Sequence, residues 1–267
     1  MSRAALVVLM LIAGVLSGAC MPFVPILEPS LSPDVEPTPP LEDTGWRPAG
    51  SGIETRERVV VHRNRRDRLY LARLDPAQVA FGVRYDPPGR RRVGEWLDTE
   101  GARLVVNAGY FDTDFHVLGM LVADGETHGE TYQGFGGLFG VSGGRVQVRS
   151  LIRQPYQPGE VFDQMAQSFP MLLVEDGQIN VDMSQDDAIA PRTVVGLDHD
   201  GRVVFLVSPL PTFSLPDLAA WLADSDLGLE SALNLDGGTS SGLIVQTPNG
   251  RWGLDSWVPV PAIIAAW

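Results

Sequence analysis

Short apolar runs, each cut off by a polar turn rich in glycine or acid, recur through most of this chain and leave little room for long helices. Val59-Val60-Val61 and Leu69-Tyr70-Leu71-Ala72 flank one polar turn, and Gly137 to Val141 and Arg145 to Val148 flank Ser142-Gly143-Gly144. Met171 to Val174 and Gln178 to Val181 flank Glu175-Asp176-Gly177. Thr193 to Leu197 is followed by His199-Asp200-Gly201 and then Arg202 to Val207. Runs of this kind, joined across glycine turns, are the pattern of antiparallel hairpins. Further strands are expected at Val79 to Tyr85, Arg103 to Val106 and Leu118 to Val122. One helix is expected after Ser214: Asp217 completes a capping box, Pro216 suits a first turn, and Leu215, Leu218, Ala219 and Leu222 share a face. A shorter helix is expected over Val93 to Leu97. The expected class is therefore α+β, a single domain with predominantly antiparallel or mixed β-sheet and few helices.

The N-terminus is set apart. Arg3 precedes an apolar run from Ala4 to Leu16, and Ser17-Gly18-Ala19-Cys20 follows. A charged start, a short hydrophobic stretch and a small-residue cleavage site read as an export signal over residues 1–20. Cys20, the single cysteine, stands where a bacterial lipoprotein carries its lipidated residue, although Ser17 replaces the usual leucine; plain secretion or an uncleaved anchor are the alternatives. Residues 21–51 are rich in proline, acid and small residues and read as an extended tether between membrane and domain. Residues 52–267 remain for one domain with a real core. With one cysteine there is no internal disulfide framework, so packing must hold the fold. A formal charge of −13 argues against nucleic acid as a partner. The arginines at 56, 58, 63, 65, 66 and 68, and at 90 to 92, read first as a solvated strand face.

Asn234-Leu235-Asp236-Gly237-Gly238-Thr239-Ser240-Ser241-Gly242 carries the densest chemistry. It reads as a buried strand delivering the Asp236 carboxylate to its end, a tight turn at Gly237 and Gly238, and hydroxyls from Thr239 and Ser240. Such a carboxylate can act as base, nucleophile or hydroxyl acceptor. The plain alternative is a hairpin turn in which Asp236 bonds its own backbone. Asn107, with Gly109 and Asp112 behind it, comes off the end of another apolar strand; it is a candidate for the same site or a strand cap. Arg192, before Thr193, suits two oxygens of a phosphate or carboxylate, or else a structural ion pair. Ser168 sits at a strand start, at a site rim or in a structural role. Asp112 and Asp114 leave a calcium site open, but the full loop spacing is missing. Gln133-Gly134-Phe135-Gly136-Gly137 reads as a mobile loop. No close histidine pair on a helix, no cysteine cluster and no phosphate loop ending in Gly-Lys is present.

Taken in order, NAGYFD, SFPMLL, PRTVVGLD and LNLDGGTSSGL resemble the phosphodiester glycosidase family over roughly Arg103 to Ala266. Thr239-Ser240 stands where such sequences often have Gly then Ser, and Ala108 where a second glycine is common. The resemblance implies an envelope-anchored hydrolase that cleaves the C1–O bond of a sugar-1-phosphodiester. Its implied catalytic residues are Asp236, Arg192 and Asn107. Its implied substrate contacts are Gly109, Asp112, Ser168, Thr193, Gly237, Gly238, Thr239 and Ser240. The partners would be a glycan or sugar phosphate and, through Cys20, the membrane. No cofactor is required by the sequence, with calcium left open. The alternative from another class is a non-catalytic glycan-binding or assembly protein that retains the pocket.

Overall fold

The computed structural model describes residues 42–183 and 187–267, and no helix among them is long and apolar enough to cross a membrane. The expected signal, and Cys20 with it, lie outside the described residues. Strands β1 (Arg47–Gly50), β2 (Ile53–His62), β3 (Arg65–Leu74) and β4 (Phe81–Tyr85) lead into helix α1 (Val93–Glu100) and β5 (Leu104–Asn107). Next come β6 (Leu121–Ala123), β7 (Glu126–His128), β8 (Gly137–Ser142), β9 (Arg145–Ser150), β10 (Gln164–Ser168), β11 (Met171–Val174) and β12 (Gln178–Ile179). The C-terminal part adds β13 (Ala190–Asp198), β14 (Val203–Phe213), helix α2 (Leu215–Asp224), β15 (Leu229–Asn234), β16 (Leu243–Thr247), β17 (Gly250–Leu254) and β18 (Ala262–Ala266).

These strands form an eight-stranded sheet, β1-β2-β3-β14-β13-β15-β11-β12, and two five-stranded sheets, β7-β6-β10-β8-β9 and β17-β16-β5-β18-β4. All their pairings are antiparallel. Two-residue turns close two of the hairpins. Arg63 and Asn64 both take positive φ between β2 and β3, as Gly143 and Gly144 do between β8 and β9. That backbone twist matches the twist of the flanking strands.

The main core lies where the three sheets meet, with Phe205 and Leu233 from the first, Phe139 from the second and Val106 and Ile264 from the third. Helix α2 covers the outer face of the eight-stranded sheet with Leu218, Ala219 and Leu222, against Leu71, Leu206 and Phe213. Helix α1 buries Val93, Trp96 and Leu97 on the third sheet. Both helices are where the periodicity places them. The capping box of α2 is only half made: Ser214 Oγ accepts from the Asp217 N–H, while the Asp217 carboxylate turns to His62 and Arg63.

Two expectations are corrected. Strand β1 lies inside the stretch read as tether and pairs with β2, so ordered structure begins before residue 52. The early arginines are not a uniformly solvated face. Arg56 is buried and bonds both Asp43 and Asp226, and Arg68 bonds Glu57.

Candidate active site

Asp236 does not close a hairpin. Strand β15 belongs to the eight-stranded sheet and β16 to the third, so the intervening turn crosses from one sheet to the other. Backbone bonds strap it down: Leu235 N–H donates to the Thr193 carbonyl (2.8 Å) and Asp236 N–H to the Ala108 carbonyl (3.1 Å). A short 3-10 turn, Gly238–Ser240, completes the crossing.

Asn107 is the staple of this junction. Its Nδ2 donates to the Asp236 carbonyl at 2.7 Å and the Ala108 carbonyl at 3.3 Å. Its Oδ1 accepts from Thr193 Oγ1 at 2.9 Å and from the Gly242 N–H at 3.1 Å. With both hydrogens and both lone pairs used, Asn107 holds the turn and does not face a ligand. Thr193 is spent in the same bond. Asn107, implied to be catalytic, and Thr193, implied to be a substrate contact, thus bond each other and position the turn.

The glycines divide in the same way. A Cβ on Gly237 would lie 2.7 Å from the Pro191 carbonyl oxygen, and one on Gly109 would lie 2.3 Å from that of Gln167. Close backbone packing accounts for both, so neither is kept bare for a ligand. Gly238, at φ +61°, has open space above it. Thr239 is exposed at the rim. Asp112 Oδ1 accepts from the Asp114 and His116 amides, both at 2.9 Å, so this carboxylate braces its own turn. Asp112, Asp114 and His116 do bring ligand atoms within 4.8 Å of one another on that exposed loop.

The Asp236 carboxylate receives bonds from the Gly237 N–H at 2.9 Å and from the Ser240 hydroxyl. Burial outweighs both and pushes its pKa up to about 6. Next to it stands Tyr110, whose hydroxyl accepts from Asn234 Nδ2 at 2.8 Å. Burial, with the Asp236 charge acting in the same direction, pushes the Tyr110 phenol to about 12. The Arg192 charge pulls the same phenol the other way. Arg192 is buried, and its Nη2 and Nε donate to the carbonyls of Ala188 (2.6 Å) and Phe213 (3.3 Å). Burial also raises the pKa of Tyr132, with Tyr110 and Asp236 adding to the shift. Both phenols therefore stay protonated at neutral pH and can donate. The acid and the guanidinium act on one phenol, while the carboxamide holds the turn from behind.

Aromatic rings wall this site. Tyr110 packs on Phe169 with centroids 4.5 Å apart, and Tyr132 and Phe135 each meet Phe169 at 5.5 Å. The glycine-rich segment read as a mobile loop thus supplies Phe135 to a packed cluster. Four buried polar atoms from these segments have no hydrogen-bond partner: Tyr132 Oη, Ser168 Oγ, Asn234 Oδ1 and Ser241 Oγ. Unsatisfied buried polar atoms are rare in folded proteins, and several together mark a place for a polar ligand. Ser168 enters on this evidence. Sequence alone gives Tyr110, Tyr132 and Asn234 no role of their own, and Ser241 only a place among the three hydroxyls after the glycines. Asn234 and Tyr110 lie within the quoted motifs, and the period-two alternation that puts Asn234 on the Asp236 side of the chain was the available signal. Nothing in sequence links Tyr132 to this place.

Fold and site together define a class: a strand-built scaffold whose carboxylate, guanidinium and phenols converge at a turn between two sheets. The phosphodiester glycosidase family model matches residues 100–265, and the chain belongs to that family. Among solved structures, the catalytic domain of zebrafish N-acetylglucosamine-1-phosphodiester alpha-N-acetylglucosaminidase, auto-inhibited by its pro-peptide, superposes with a TM-score of 0.60 at 20% identity, covering 82% of this chain and 83% of that one. A hypothetical protein from Synechocystis gives 0.57 at 15% identity over 82% of this chain and 64% of its own. A Burkholderia pseudomallei protein described as exported gives 0.54 at 13%, covering 75% and 74%. At these identities the structures show a shared fold. No curated protein sequence matches the chain.

Proposed function

We propose that this protein hydrolyses the C1–O bond of a sugar-1-phosphodiester at the cell envelope, tethered through Cys20. One observation carries the reading: a mostly buried carboxylate with a pKa of about 6 stands beside two protonated phenols and unsatisfied polar atoms. Family membership supplies the bond. A structural neighbour described as exported agrees with an extracytoplasmic location.

In this reading water attacks C1 and gives its proton to Asp236. The C1–O bond breaks with its electron pair going to the phosphate oxygen, and a phosphate monoester leaves. That group is already stable as an anion, so neutralising its charge matters more than protonating it. Arg192 and the Tyr110 and Tyr132 hydroxyls provide that neutralisation from fixed positions. The aromatic wall of Tyr110, Phe169 and Phe135 suits the apolar face of a sugar ring, and the free polar atoms of Ser168 and Asn234 suit its hydroxyls. Asp236→Asn and Arg192→Ala, assayed for release of free sugar from a sugar-1-phosphate ester, test this. Each should lose at least about 100-fold in kcat/KM. Unchanged turnover in both removes the two residues from the mechanism, and tight sugar-phosphate binding without turnover in the wild type would leave a glycan-binding protein.

A further inference from the structure

A second hollow opens beside the turn that follows Asp236. Its volume is about 330 Å³, and its walls are Pro191, Leu210, Pro211, Leu254 and Trp257, with Gly238, Thr239 and Ser241 as the polar end. Trp257 is 82% exposed and Leu210 50%, an unusual pair of large apolar groups to leave in water side by side. The wall is a built feature. Ala190 pairs with Phe213 and Arg192 with Ser208, so residues 209–212 bulge out of β14 opposite Pro191. Asp67, almost fully buried, ties that bulge down: its Oδ2 accepts from Ser208 Oγ at 2.5 Å and from the Leu210 N–H at 3.3 Å.

Three facts make this groove an extension of the site. Its polar end is the 3-10 turn that follows Asp236 and Gly237. Pro191, in its wall, is the chain neighbour of Arg192. Ser241, 2% exposed, presents at this end a hydroxyl with no partner, which marks the place for a polar ligand atom. A molecule reaching from the carboxylate into the groove would be polar where it leaves the turn and apolar beyond.

We infer that the groove holds the leaving-group side of the substrate, and that this side is an alkyl chain esterified to the phosphate. The inference rests on the proposed reaction for its orientation. The phosphate that Arg192 neutralises would meet Gly238 and Ser241 on its leaving-group side, and the chain would run along Leu210, Leu254 and Trp257.

The experiment compares methyl and octyl esters of one sugar 1-phosphate, together with calorimetric binding of octyl phosphate and inorganic phosphate, on the full chain. The octyl ester should be preferred by at least roughly tenfold in kcat/KM, because burying several methylenes supplies that much. Octyl phosphate should bind at least roughly tenfold more tightly than inorganic phosphate. Trp257→Ala and Leu210→Ser should erase most of both differences, while Val161→Ser, an exposed apolar residue that does not line the groove, should leave them intact. Equal rates and equal binding for the two chain lengths would overturn the inference. So would a dimer in sedimentation that Trp257→Ala dissociates, which would give this face to a second copy. If octyl phosphate binds through Trp257 but neither ester is cleaved, the reaction fails and the groove stands.

Discussion

Asp236 combines two properties that pull in opposite directions. Its position in the turn makes it available to a ligand, while burial makes its charged form costly. Raising the folded-state pKa from 3.8 to about 6 means folding takes up a proton between those values. Stability from this group is therefore lost as pH rises through that window, and the cost is complete above it. Asp236→Asn should consequently raise stability at pH 8 by up to about 3 kcal/mol and change little at pH 3, read from urea midpoints. Activity should show the opposite dependence, with kcat/KM rising along an acid limb near pH 6. Ser240→Ala removes a bond that lowers this pKa, so the limb should move to higher pH. A limb that stays in place in that variant would detach the titration from Asp236. Tyr110→Phe keeps the ring on Phe169 and removes the donor, and should lower kcat/KM about 100-fold with little loss of stability.

At the level of elements, the site depends on how a crossing turn is clamped between two sheets. Asn107→Ala would leave the Thr193 hydroxyl and the Gly242 amide facing no acceptor in the interior. A loss of about 3 kcal/mol or more is expected, measured by denaturant unfolding. Gly237→Ala drives a Cβ against the Pro191 carbonyl, which is backbone and cannot rotate away, and should cost about 1–3 kcal/mol. If either variant kept full stability, the clamp would be misdescribed. These elements also show what the chain makes legible. Hairpins and helices follow from local patterning, and β2–β3, β8–β9, α1 and α2 lie where the patterning puts them. Asp236 and Arg192 are legible because strand ends and glycine turns are local features. Asn107 is legible as important but not as a staple, since its partners Thr193, Asp236 and Gly242 are set by sheet order. Tyr132 and Phe135 are hidden for a plainer reason. Their loop has no periodic signal, and only packing on Phe169 gives them a place.

On the scale of the whole molecule, the fold brings three antiparallel sheets around one core and puts the site at a junction between two of them. The N-terminal strands are fastened to the rest by charge as well as by hydrogen bonds. Arg56, in β2, bonds Asp43 before β1 and Asp226 beyond α2. The Arg56 guanidinium holds the Asp43 pKa down at about 2, below the ordinary 3.8. A depressed carboxylate contributes above its unfolded pKa and loses that contribution as pH falls through its folded one. Between about pH 4 and pH 2 the wild type should lose stability that Asp43→Asn does not, as seen in thermal melts across that range. Equal slopes for the two proteins would remove this tie from the acid response.

The central claim is that Asp236 drives water onto C1 of a sugar phosphodiester. Hydrolysis in isotopically labelled water, with mass analysis of both products, tests it most directly. The account predicts label in the sugar hydroxyl, none in the phosphate monoester, and no label above background with Asp236→Asn. Label in the phosphate monoester, or an undiminished rate in that variant, would contradict it.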